Sequence, residues 1–153
     1  MQDFLETTFD KFIFRAKAGY LYSKEEFWVD VQQRLATVGL TDFLQKSKGD
    51  VAFLETVDPG THVERGQEIG TIETIKATFG ILSPVTGNVV EVNPELELKP
   101  ELINNDPYGA GWIYKIELSR PEVHEDELLP ADRYMELLKE KLADEAKGAH
   151  GQE

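Results

Sequence analysis

The chain has no cysteine among its 153 residues. That absence excludes disulfides, thiolate metal sites, cysteine nucleophiles and any redox couple made from protein thiols. Basic residues are also scarce: 16 Lys and Arg against 29 Asp and Glu leave a formal net charge of −13. Nucleic-acid phosphates and anionic lipid headgroups repel such a chain, so protein partners with basic faces are expected and neither nucleic acid nor membrane is. No apolar run approaches the ~20 residues that a membrane span requires. The opening stretch MQDFLETTFDKF carries early acids and resembles neither a secretory signal nor an acid-poor transit peptide, which makes the cytoplasm the expected location. The three histidines, His62, His124 and His150, are scattered, and no pair has metal-ligand spacing. There is no glycine-rich phosphate loop and no nucleophile elbow, so neither a catalytic residue nor a metal site is expected.

What remains is enough apolar sequence for one domain, 1–153, with a moderate core. Phe4, Leu5, Phe9, Phe12 and Ile13 fall at spacings that suit one face of a short helix, giving a helical extension over 1–19. That helix either packs on the domain or docks a partner. From Tyr20 the pattern changes to short strands, in YLYS, FWVDV and RLATVGL, with Gly19 and Gly39 as punctuation. TDFLQKSKGD opens like a helix near 41–48: Thr41 is placed to cap it, Asp42 suits its positive end and Gly49 closes it. Strand and tight-turn signals then alternate from VAFLETV through NVVEVN. Within this run PGTHVERGQEI and PVTGNVVEVNPEL echo each other weakly, as two halves related by an approximate twofold would. PELINNDPYGAGWIYKIEL reads as one helical turn, a turn-rich loop and a closing strand Trp112–Leu118. Tyr134, Leu137, Leu138 and Leu142 form the apolar stripe of a C-terminal helix over 130–146, and KGAHGQE beyond it is expected to fray. The expectation is a mainly β fold, with a β core over 20–120 and a helix at either end.

One lysine stands out. In GTIETIKATFG, TIET and ATFG suit two antiparallel strands, and TIKA is their connection. A hairpin tip makes few contacts, so Lys76 is expected to project into solvent. It lacks the burial or the cationic neighbour that a Schiff-base lysine needs. It is either a solubilising turn residue or an amine displayed for acylation by another enzyme, which removes its charge and lengthens its arm.

YSKEEFWV, ATVGLTDFLQ, GTIETIKA, SPVTGNVVEVNPEL and PELINNDPYGAGWIYKI occur in that order, and together they resemble the lipoyl carrier family typified by the glycine cleavage system H-protein. The resemblance runs from about Tyr20 to Tyr134. It implies a flattened sandwich of antiparallel sheets with lipoate amide-linked to Lys76, inside a Glu73-Thr74-Ile75-Lys76-Ala77 motif. It also implies a carrier that turns nothing over alone. Its partners would be a lipoate-attaching enzyme, dihydrolipoamide dehydrogenase, and either glycine-cleavage enzymes or a heterodisulfide-reductase-like complex. A biotin carrier is the nearest competitor, but biotin-carrier domains flank their lysine with methionines, and here the flanks are Ile75 and Ala77.

Family likeness places Glu26, Phe27, Trp28, Ser47, Gly80 and Asn93 as candidates for the cleft that receives the arm. Here the sequence departs from glycine-cleavage members. Phe27 and Gly80 stand where carboxylates are expected, and Ser47-Lys48 replaces the usual pair before the glycine turn. A methylamine-loaded arm carries an ammonium, which is costly to bury without a paired charge or hydrogen bonds. These departures favour a carrier of the heterodisulfide-reductase-like sulfur-oxidising system, unless Glu26 or Glu55 supplies the missing charge. An H-protein shuttling methylamine is the alternative, and an unmodified structural or interaction protein is the alternative from another class. The acids Glu122, Glu125, Asp126 and Glu127 read as a solvated run or a docking patch for a basic partner. The loop Asn104–Gly109 reads as a structured turn beside the arm.

Overall fold

The computed structural model describes residues 3–120 and 128–151, with backbone alone from 147 onward. The acidic run Glu122–Glu127 and His124 lie outside the described residues, as does the side chain of His150. The fold is mainly β, and every strand pair is antiparallel.

The helical extension expected over 1–19 is the first correction: its described part forms a β-hairpin rather than a helix, with β1 Phe4–Phe9 paired to β2 Phe12–Lys17. The aromatic spacing fits a helical face, but Leu5, Thr7 and Phe9 also alternate, as do Phe12, Phe14 and Ala16, and in the paired register they share one face. Thr7 and Thr8 favour the pleated backbone. Asp10 and Lys11 make a two-residue turn in which Asp10 adopts φ +57°, the left-handed conformation of tight hairpin turns.

The principal sheet runs β12-β3-β4-β5-β11-β10-β7. Its strands are β3 Leu21–Tyr22, β4 Phe27–Gln32, β5 Leu35–Leu40, β7 His62–Val63, β10 Gly87–Val92, β11 Tyr114–Leu118 and β12 Leu129–Pro130. A three-stranded sheet carries the lysine hairpin, in the order β6 (Val51–Thr56), β8 (Glu68–Thr74), β9 (Thr78–Leu82). The two echoing stretches meet each other where β7 pairs with β10, Gly87 opposite Val63 and Asn88 opposite His62. The closing strand starts at Tyr114 rather than Trp112, because Gly109, Ala110 and Gly111 still belong to the preceding turn, in which Gly109 N–H and Gly111 N–H both donate to Asp106 O.

Helix α1, Asp42–Lys48, is the helix read from the sequence. Thr41 Oγ1 accepts from Leu44 N–H, and Gly49 closes the helix at φ +91°. α2, Leu102–Asn105, is the single helical turn, and an additional 3-10 turn at Pro94–Glu97 is capped by Asn93. α3 runs Ala131–Gly151, longer than the expected 130–146 and continuing through the segment expected to fray, while Pro130 belongs to β12. On α3, Tyr134, Met135, Leu138 and Leu142 are buried, whereas Leu137 of the expected stripe faces out.

Two cores result. One lies between the sheets around Val29, Val38, Ile69, Ile72, Ile81 and Ile116. The other is aromatic and joins the N-terminal hairpin to α3 through Phe14, Tyr22, Trp28, Tyr108 and Tyr134. Tyr22 and Tyr134 stack at 4.5 Å, and Tyr20 stacks on Trp28 at 4.8 Å. Gly39 is needed beneath that stack, since a Cβ there would lie 2.8 Å from the Trp28 ring.

Candidate functional site

Lys76 lies in the connection between β8 and β9, exposed, next to an Ile75 that is 76% exposed. The tip is nonetheless rigidly held, and the residue that holds it is Thr74. Thr74 N–H donates to Ala77 O at 2.8 Å, closing a four-residue turn. Its buried hydroxyl donates to Lys48 O at 2.7 Å and accepts from Ala77 N–H at 3.0 Å. Ile75 N–H donates to Asp50 O at 3.1 Å. The tip is therefore stapled to the end of α1. Sequence reasoning placed Thr74 in the motif without a role, although a threonine two residues before the lysine of a tight turn is a recognisable staple.

Glu73 and Ala77 flank this turn, Glu73 paired across to Thr78 and Phe53. The Lys76 side chain does not simply point outward as expected of a hairpin tip. Its aliphatic stem runs over Gly49, where a Cβ would sit 3.2 Å from Lys76 Cε and 3.6 Å from Cδ and Cγ. Gly49 thus serves twice, as the left-handed close of α1 and as the floor under the lysine. No ion pair of the Lys76 ammonium occurs among the described residues. An unpaired amine on a stiff turn, with its stem cradled by a glycine, suits covalent attachment of an acyl arm.

Lys76 also lines a groove of about 260 Å³. Phe9, Phe12 and Phe14 of the N-terminal hairpin form one wall, and α1 contributes Phe43, Lys46 and Ser47. Leu142 and Glu145 of α3 complete it. Of the cleft candidates named from family likeness, Ser47 alone shares this groove with Lys76. Phe27 and Trp28 are buried, 2% and 1% exposed, one in each core. Asn93 is buried at the far turn, where its amide donates to Ala110 O and Trp112 O.

Glu26 is 6% exposed and is spent within the fold. It accepts from Thr41 Oγ1 at 2.8 Å and from the Tyr134 hydroxyl, and it pairs with Lys141 Nζ at 3.2 Å. Burial first, and then the Glu26 carboxylate, raise the Tyr134 phenol well above its ordinary value, which keeps it a donor. Glu55 is on β6, exposed and outside the groove. Gly80 is not a gap: a Cβ there would fall 2.1 Å from Glu68 Oε1, so the Glu68 carboxylate occupies that space. Neither Phe27 nor Gly80 lines the groove beside Lys76. Phe27 faces the core, and Gly80 sits under an acid supplied by the neighbouring strand.

A stapled β-turn that displays one lysine, set in a sandwich of antiparallel sheets, defines a carrier fold built for attachment rather than turnover. The glycine cleavage H-protein family model matches residues 20–141. The chain is 43% identical over 120 residues to the glycine cleavage system H protein of Carboxydothermus hydrogenoformans, covering 78% of this chain and 92% of that one. It is 43% identical over 129 residues to glycine cleavage system H protein 4 of Aquifex aeolicus, covering 84% and 75%. The crystal structure of a glycine cleavage system H protein from Mycobacterium marinum superposes with a TM-score of 0.74 at 28% identity, covering 81% of this chain and 99% of that one. The chain belongs to the glycine cleavage H-protein family, whose members are non-catalytic lipoyl carriers. The sulfur-oxidising branch favoured by sequence reasoning finds no support in these relatives. No helix among the described residues is long and apolar enough to cross a membrane.

Proposed function

We propose that this protein carries lipoate on Lys76 and shuttles an aminomethyl group between enzymes of glycine cleavage. The observation that carries the reading is the stapled display of Lys76 within Glu73–Ala77, inside the stretch matched to the family. When attached, the lipoyl group supplies a dithiolane that alternates between disulfide and dithiol and accepts a group on sulfur. Thr74 and Gly49 fix where the arm departs. Glu145 supplies a carboxylate in the groove, and Glu68 supplies one over Gly80, outside it. A lipoate-attaching enzyme, dihydrolipoamide dehydrogenase and the glycine-cleavage enzymes are the partners this reading requires.

A second reading, a carrier of neutral sulfur-bearing cargo, is favoured by one feature. The apolar part of the groove is phenylalanine apart from Leu142, and Lys46 and Lys141 already lie over the Phe14 and Phe43 rings at 5.6 and 5.2 Å. A further cation would find those ring faces taken.

The test begins with intact-protein mass after incubation with lipoate and a lipoate-attaching enzyme. One lipoyl increment is expected on the natural chain and none on Lys76→Arg. A bare mass for the natural chain defeats the carrier reading. The lipoylated protein is then supplied to glycine-cleavage partner enzymes. Sustained glycine turnover supports the first reading, and full lipoylation without turnover favours the second.

A further inference from the structure

We propose that the N-terminal hairpin is a built-in dock for the arm, its Phe9, Phe12 and Phe14 closing with Phe43 on the dithiolane end of a lipoyl group attached at Lys76. The inference rests on the carrier reading and goes beyond it, because it gives a binding role to a segment that lies outside the family match at 20–141.

Three observations carry it. First, the groove and the attachment point are continuous, since Lys76 itself is part of the lining. A tethered group needs little intrinsic affinity to occupy such a site, because attachment replaces free diffusion by a high effective concentration. Second, the chemistry fits. Phe12 is 52% exposed although it stacks on Phe14 at 5.9 Å, and Phe14 meets Phe43 edge-on at 5.3 Å. These rings offer an apolar surface for methylenes and favourable contacts for sulfur. The volume, about 260 Å³, lies just below the roughly 300–1,000 Å³ of ordinary small-molecule pockets, as suits a slender chain and a five-membered ring. Third, the wall is fixed before any arm arrives. Arg15 N–H donates to Asp42 Oδ2 at 3.0 Å, the Tyr108 hydroxyl donates to Arg15 O at 2.6 Å, and Lys46 Nζ donates to Ile13 O at 2.5 Å. A surface held in this way loses little freedom when it is covered.

Because the chain has no cysteine, a maleimide added after phosphine reduction reacts with thiols of the arm alone. The experiment compares the alkylation rate of the lipoylated protein with that of reduced lipoamide, after mass has established attachment. Docking is expected to slow the reaction about tenfold, the factor given by burying roughly two methylene equivalents. Phe12→Ser and Phe9→Ala should restore most of the rate. Phe12 is half exposed, so its replacement leaves the core intact, and Ile13→Ala, a substitution at an exposed neighbour, should change nothing. Equal rates for protein and lipoamide, or protection unaltered by the phenylalanine variants, overturn the dock while leaving the carrier reading intact. Protection that grows with protein concentration would assign the rings to a second copy and overturn it equally. A bare mass at the outset overturns the carrier reading and the dock together.

Discussion

Replacing Thr74 by valine removes one hydroxyl and keeps the side-chain shape. It deletes a 2.7 Å bond to the Lys48 carbonyl at the end of α1 and a 3.0 Å bond from Ala77 N–H within the lysine turn. A third approach, from Lys76 N–H at 3.3 Å, is long enough to add little. Each good bond contributes about 0.5–1.5 kcal/mol net, and a polar group left unsatisfied costs about 1–3 kcal/mol. Thr74 is 6% exposed, so water replaces the lost partners incompletely, and a loss of about 2 kcal/mol is expected. For a chain of this size that lowers Tm by roughly 4–8 °C. Thr74→Ser keeps the hydroxyl and should lose less than half as much. The measurement is thermal and urea unfolding of both variants, with amide exchange at Ile75, Lys76 and Ala77. Those amides should exchange faster in the valine variant and retain protection in the serine variant. A valine variant that melts with the natural chain, or a serine variant that falls as far, would refute the staple.

Two further outcomes follow from single residues. Gly49→Ala places a Cβ at φ +91° and ψ −169°, a conformation that side chains avoid, and should cost about 1–3 kcal/mol in urea unfolding. Most of that cost should persist in the background of Lys76→Ala, because the stem above Gly49 is flexible and the backbone is not. His62 Nε2 meets Glu64 Oε1 at 3.0 Å and Nδ1 meets Asn88 Oδ1 at 3.0 Å, and Glu64 first, then Asn88, raise the imidazole above its ordinary 6.5. The associated stability is complete below 6.5 and disappears as pH rises through the raised value. An NMR titration should show this midpoint drop in Glu64→Gln.

The β core, α1 with its Thr41 cap and Gly49 close, and Lys76 at a strand connection could be read directly because each rests on local chemistry: alternation, capping and turn residues. The N-terminal hairpin could not. Phe4, Leu5, Phe9, Phe12 and Ile13 satisfy a helical stripe and a pleated face equally, and the decision falls to Asp10 in a left-handed turn and to the anchors at Asp42 and Tyr108, which are far away in sequence. The groove was hidden for the same reason. Its phenylalanines come from the hairpin and α1, and its far wall from α3, so no motif contains them. Where the cleft residues carried over from the family face is set by tertiary packing that no motif records. Phe27 points into the core, and the space over Gly80 is filled from another strand.

The hydrogen bonds that attach β2 to the body end on its main chain, at Ile13 O, Arg15 N, Arg15 O and Lys17 O, while Phe14 and Ala16 add buried side chains. The exposed part of the lining, Phe12, is therefore separable from the mount. The residue at 12 is free to be exchanged for another that suits a different passenger while the ribbon keeps its seat, so one scaffold can be refitted by editing a single position.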